Sequence, residues 1–188
     1  MLAVTARRWQ HGPMTTRTNP DVRAGRDSTD GGKVRRHSGW RKFLVVADTS
    51  PEARLALHFA GRRALATNAR VTLLFVMSPA DFQHWMTVGE LMREEARQDA
   101  ESALYDLAGE VNRLTGLFPE LVIKEGTAQE AVTELIEEDP DIRIMVLGAS
   151  SQKEGPGPLV TAAANCAFPI PVTIVPGSLT PGDIEELA

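Results

Sequence analysis

Few residues in this chain have types and spacing suited to chemistry. An acid, Asp48, closes an apolar run and is followed by two hydroxyls, Thr49 and Ser50. A hundred residues on, the segment Gly148-Ala149-Ser150-Ser151-Gln152-Lys153-Glu154-Gly155-Pro156-Gly157-Pro158 leads out of a second apolar run. Glycines let a backbone approach a ligand closely. A helix beginning after such a loop offers free N–H groups and the positive end of its dipole, which is the physics of an anion site. The spacing is neither that of a P-loop nor that of a dinucleotide fingerprint. The same loop also reads as a plain connection into a proline-started helix, and Asp48 also reads as the cap of the turn at Ser50.

The other candidates carry less. Cys166 stands among Ala162, Ala163, Ala164 and Ala167, which reads as a buried, inert thiol. His11, His37, His58 and His84 show no metal-ligand spacing, so no metal site is expected. Phe82, Trp85 and Met86 read as a lid, a partner contact or a cover for the end of the core. No carboxylate pair or water-activating base stands out, so a phosphate hydrolase is the weakest functional class and no catalytic residue is assigned.

These residues are positioned by alternating elements. Lys42 to Ala47 is a short apolar run that suits a buried parallel strand, and Ser50-Pro51 is an N-cap with proline at the first helical position. The first helix runs to about Ala66, with Ala53, Ala56, Leu57, Ala60 and Ala64 on one face. Val71 to Met77 is a second strand. A long amphipathic helix from about Glu90 to Thr115 follows, its core face made of Ala100, Ala103, Leu104, Leu107, Val111 and Leu114 and its end at Gly116. Leu121 to Lys124 is a third strand, closed by Glu125-Gly126. Thr127 and Glu130 then make a capping box for a helix to about Glu138. Ile142 to Leu147 is a fourth strand ending at Gly148, Pro158 to about Cys166 a short helix, and Pro171 to Val175 a fifth strand. This order implies an α/β domain, an open parallel sheet with helices on both faces. Strand orders 3-2-1-4-5 and 2-1-3-4-5 both satisfy it. In either, ligands sit beyond the carboxyl ends of the strands where the winding reverses, and in the first order that brings Asp48-Thr49-Ser50 to the loop after Gly148.

Charge divides the 188 residues in two. Residues 1–42 hold ten Lys/Arg against three acids, a net of +7, whereas residues 43–188 have a net of -12. Residues 1–40 lack periodic apolar residues and read as a disordered basic extension, with a faint likeness to a transit peptide or a nucleic-acid arm; an over-long translation start, with Met14 as the alternative, also accounts for it. Residues 41–178 form the domain and 179–188 a C-terminal tail. An acidic body repels nucleic acid and anionic membrane, and no apolar run approaches the roughly 20 residues of a membrane helix. One cysteine, Cys166, excludes an internal disulfide and suits the cytoplasm.

Lys42 to Ser50, Val71 to Val76, Glu125-Gly126, Ile144-Met145-Val146-Leu147-Gly148 and Pro171 to Val175 together resemble the universal stress protein family, over about residues 41–178. The resemblance implies a five-stranded parallel sheet in the order 3-2-1-4-5, Rossmann-like and of the adenine nucleotide alpha hydrolase type, with homodimerisation through the last strand. It further implies ATP or AMP binding in some members. Asp48 matches the acid by the adenine and ribose, Val76 the strand position whose backbone meets the adenine edge, and Gly148 the first glycine of the phosphate motif. The motif then departs from the family. Ser151 replaces the second glycine, Gly157-Pro158-Leu159 falls near the final Gly-Ser, and Pro156 and Pro158 remove two N–H donors. The amides of Leu159, Val160 and Thr161, the hydroxyls of Ser150, Ser151 and Thr161, the charge of Lys153 and the open backbone at Gly155 and Gly157 are what remains for phosphate. Two functions follow from the resemblance: a non-catalytic stress-response module that binds an adenine nucleotide between strands 1 and 4, or a dimeric interaction protein with that crevice empty. Val172, Ile174 and Val175, apolar and uncharged on an edge strand, are the expected dimer contacts; other protein partners are not indicated.

Overall fold

The computed structural model describes residues 39–48, 50–78, 89–150 and 155–188. Ten elements follow one another: β1 (Lys42–Ala47), α1 (Pro51–Thr67), β2 (Arg70–Met77), α2 (Gly89–Thr115), β3 (Glu120–Glu125), α3 (Ala128–Glu138), β4 (Ile142–Ala149), α4 (Pro158–Ala164), β5 (Val172–Pro176) and α5 (Pro181–Leu187). All strand pairs are parallel, in the order β3-β2-β1-β4-β5. Of the two orders that the alternation allowed, this is the one implied by the family resemblance.

Because successive strand residues point to opposite faces, each strand feeds two cores. Phe43, Val45, Val71, Leu73 and Val146 pack with α1, α2 and Ile184 of α5. Leu44, Leu74, Met145 and Leu147 pack with Val132, Leu135 and Ile136 of α3 and Val160 of α4. The alanine stripe of α1 is fully sealed, from Ala53 to Ala64, so this helix lies close on the sheet. Ser50 caps it by accepting the Ala53 N–H at 3.1 Å. Asn68, in the left-handed conformation at φ 51°, ends it.

Several elements differ from the sequence reading. β4 runs through Gly148 to Ala149, because Gly148 and Ala149 pair with Val175 and Pro176. Leu114, expected in the core, is exposed, while Thr115 beside it packs against α1 at Gly61. At Thr127 only part of a capping box forms: its hydroxyl oxygen accepts the Glu130 N–H, while its O–H donates to the Glu130 carboxylate. A complete capping box occurs instead at Thr180 and Asp183, opening α5 within the ten residues expected as a tail. α4 ends at Ala164 rather than Cys166. The chain reverses there, with Cys166 at φ 56° and its thiol exposed, which corrects the expectation of a buried one.

At the amino end of the sheet Lys42 is held by Glu120 at 2.6 Å and Asp139 at 2.5 Å. Burial alone would lower its ammonium, but the hydrogen bonds to Asp139 and Glu120 outweigh that and raise it above the ordinary 10.5. Lys124, bonded to Glu134 and Glu138, is raised against its own burial in the same way.

Candidate functional site

The central strand is shorter than both of its neighbours. β1 pairs with β2 as far as Ala47↔Phe75, yet β2 continues to Met77 alongside β3. β1 pairs with β4 as far as Val45↔Val146, yet β4 continues to Ala149 alongside β5. The carboxyl end of the sheet is therefore notched. Ala47 and Asp48 form the floor, and the ends of β2 and β4 form two walls roughly 9–10 Å apart, twice the strand spacing. The winding reverses here, between β1 and β4.

Asp48 is exposed on the floor. Its Oδ1 accepts the Ser50 N–H at 2.8 Å, so the turn-capping reading of this acid holds. The other carboxylate oxygen has no partner among the described residues, so capping fixes the side chain without consuming it. Val76 is half-buried, packed toward the core beneath α3 and α4, and its backbone lies past the last β1 pairing. Opposite, a Cβ on Gly148 would stand 2.3 Å from the Glu52 carbonyl oxygen and 2.5 Å from its carbon. The first turn of α1 is what requires glycine at this position, and it closes the notch on that face.

Beyond the fourth strand, Ser150 is half-buried, and Thr49 and Ser151 lie outside the described residues, as do Lys153 and the segment with Phe82, Trp85 and Met86. Gly155 and Gly157 both have φ 91°, and at ψ 158° Gly157 occupies a region that essentially only glycine adopts. No described atom lies within 4 Å of a Cβ placed on either. Leu159 turns its side chain toward the core below, leaving only its backbone toward the loop. Thr161 corrects the sequence reading: its amide and its hydroxyl both donate to the Gly157 carbonyl, at 3.1 and 3.0 Å, so neither is free for a ligand. The amides of Leu159 and Val160 have no acceptor among the described residues. Sequence reasoning missed Glu52 and Gly177. A Cβ on Gly177 would fall 2.7 Å from the Glu52 Cγ, so one side chain is wedged between the exits of β4 and β5. No pattern in the sequence marks that contact.

The described residues contain no cluster of His, Cys, Asp or Glu able to hold a metal ion, and no described helix is long and apolar enough to cross a membrane. A separate concavity of about 260 Å³, lined by Ala163, Cys166, Phe168, Ile170, Val172 and Ile174, lies beside β5 and away from the notch.

The sequence model of the universal stress protein family matches residues 39–176. The chain belongs to that family. Among solved universal stress proteins, one in complex with cAMP is 19% identical, with a TM-score of 0.56 over 75% of this chain and 100% of its own. UspA from Lactobacillus plantarum is 21% identical, with a TM-score of 0.57 over 72% of this chain and 97% of its own. The hypothetical protein MJ0577 is 19% identical, with a TM-score of 0.59 over 75% of this chain and 99% of its own. At these identities the likeness is one of fold. No curated protein sequence gives a significant match.

Proposed function

We propose that this universal stress domain is a non-catalytic stress-response module that binds an adenine nucleotide in the notch between β2 and β4. The observation that carries this reading is the short central strand, which leaves a slot wide enough for a planar ring above Asp48. Adenine would lie against the backbone of Val76, the ribose on the open oxygen of Asp48, and phosphate against the amides after Gly157. A structural neighbour in complex with cAMP supports the nucleotide class. A cytoplasmic setting agrees with the single cysteine.

The second reading is a dimeric interaction protein whose notch stays empty. It is favoured by Thr161 and Gly148, which serve the protein's own backbone. Dimerisation is part of both readings. β5 is a sheet edge, Ile174 is exposed on it, and Val172 lines the concavity beside it. Val175, by contrast, is buried in its own core and would contribute backbone only. Nucleotide analysis of the purified, heat-denatured protein, followed by calorimetric titration with AMP and ATP, separates the two. Nucleotide near one per chain, or saturable binding, supports the first; neither, with a dimer in light scattering, supports the second.

A further inference from the structure

The amino end of the sheet, opposite the notch, carries a second surface. α1 and α2 both run back from the carboxyl end and finish here, and the end of α2 lies against α1 at Gly61, where a Cβ would meet Thr115 Cγ2 at 3.2 Å. Leu65 and Leu114, in those last turns, are 49% and 38% exposed, and Trp40 and Phe118, just before β1 and β3, are 41% and 75% exposed. The Arg70 guanidinium stacks over Trp40 at 4.8 Å, and the Arg70 N–H donates to the Arg41 carbonyl at 2.8 Å. The register Thr72↔Glu120, continued two residues back, sets Phe118 level with Arg70. Large apolar side chains from four segments thus share one end of the domain.

The charge there runs against the rest of the body. Arg41, Arg63, Arg70 and Arg113 are exposed and Arg62 is half-buried, and none of the five has an ion-pair partner among the described residues. Elsewhere Arg54, Arg97 and Lys124 are each held by carboxylates. Residues 43–188 have a net charge of -12, so five arginines with no ion-pair partner among the described residues, gathered beside the mutually paired Lys42, Glu120 and Asp139, are a local reversal of sign. The dipole of α2 favours Arg113 in its last turn, but it accounts neither for the other arginines nor for exposed leucines and aromatics beside them.

We propose that this end is a docking surface for an acidic amphipathic peptide segment of another protein. Apolar side chains of the segment lie over Leu65, Leu114 and Phe118, and its carboxylates reach Arg41, Arg63, Arg70 and Arg113. Charge complementarity calls for an acidic occupant. The same cations and the rings of Trp40 and Phe118 would also serve a nucleic acid, but the aliphatic Leu65 and Leu114 stack on no base and match apolar peptide side chains, so the peptide is favoured. The surface is independent of the nucleotide reading, since it lies at the other end of the strands.

Fluorescence anisotropy on the full chain tests it. The probes are a labelled helical peptide of about 15 residues with Leu at i, i+3, i+4 and i+7 and Glu elsewhere, the same peptide with Lys for Glu, and a single-stranded oligonucleotide. The Glu peptide should bind and the Lys peptide should not. Affinity should fall at least about tenfold in Arg63→Glu/Arg113→Glu, and by a similar factor in Leu65→Ser. Circular dichroism checks that each variant is folded, and Leu114→Ser replaces Leu65→Ser if that variant is not. Equal binding of both peptides, no binding up to about 1 mM, or unchanged affinity in the charge-reversed variant overturns the proposal. So does an oligonucleotide that binds as tightly as the Glu peptide, or self-association that Leu65→Ser abolishes without any peptide binding.

Discussion

Replacing Gly148 with alanine separates a glycine kept for packing from one kept for a ligand. The added methyl carbon would sit 2.3 Å from the Glu52 carbonyl oxygen and 2.5 Å from its carbon, both backbone atoms of α1. An ordinary contact is near 3.5 Å, so the helix start must yield by roughly 1 Å, and overpacking of that kind costs about 1–3 kcal/mol. The upper half of that range applies because backbone, rather than the end of a flexible side chain, has to move. Restricting the unfolded chain returns about 0.4–1 kcal/mol, so the net loss should be about 2 kcal/mol. In a chain of this size that lowers the melting temperature by about 4–8 °C. Gly109→Ala is the control: beyond its own helix backbone no described atom lies within 4 Å of its Cβ position in α2, so alanine there should stabilise by up to about 1 kcal/mol. Urea melts followed by far-ultraviolet circular dichroism measure both. If Gly148→Ala matches the wild type within about 0.5 kcal/mol but loses nucleotide binding, the packing account is wrong and the glycine serves the ligand.

Lys42→Met should cost about 1–2 kcal/mol, because it strips a cation from Glu120 and Asp139; the gap to wild type should be complete below the usual lysine value of 10.5 and close as pH rises through the elevated folded value. Hydrogen bonds from the Thr180 backbone and hydroxyl hold Asp183 below its ordinary 3.8, so Asp183→Asn should loosen α5 at neutral pH. In melts across pH, that difference should be present above 3.8 and vanish as pH falls through the depressed value. Ile174→Lys should convert a homodimer to monomer in light scattering, since a charge on an exposed edge strand blocks pairing; a dimer that survives it is joined elsewhere.

Strand and helix order was legible because the longer elements have a clear apolar pattern and a clear stop: Ser50-Pro51, Gly116 at φ 73° and Asp139-Pro140 all fall where an element begins or ends. What escaped was short or non-local. α5 has one buried residue, Ile184, in seven, too few for a period to show. The end of β4 was set by pairing with β5, and the role of Gly148 by a turn almost a hundred residues earlier. Cys166 was misread because its alanine neighbours suggest burial, whereas the left-handed turn puts it outside. At the candidate site, residue type marked Asp48 both as a ligand group and as the cap of the Ser50 turn, and the structure shows the cap. Residue type could not show that Thr161 spends both its donors on Gly157.

The position of β1 at the middle of the sheet also governs how the chain is assembled. Its first neighbour, β2, follows after one helix, but its other neighbour, β4, begins only at Ile142. A growing chain can therefore close β1-β2-β3 early while the backbone N–H and C=O groups along the other edge of β1 stay bare through the synthesis of α2, β3 and α3. Long-range parallel pairing of this sort is slow, and an apolar strand edge left open meanwhile can pair with another chain. The half-sheet ending at β3 is thus the species most exposed to aggregation, and arrival of β4 is the event that ends the exposure.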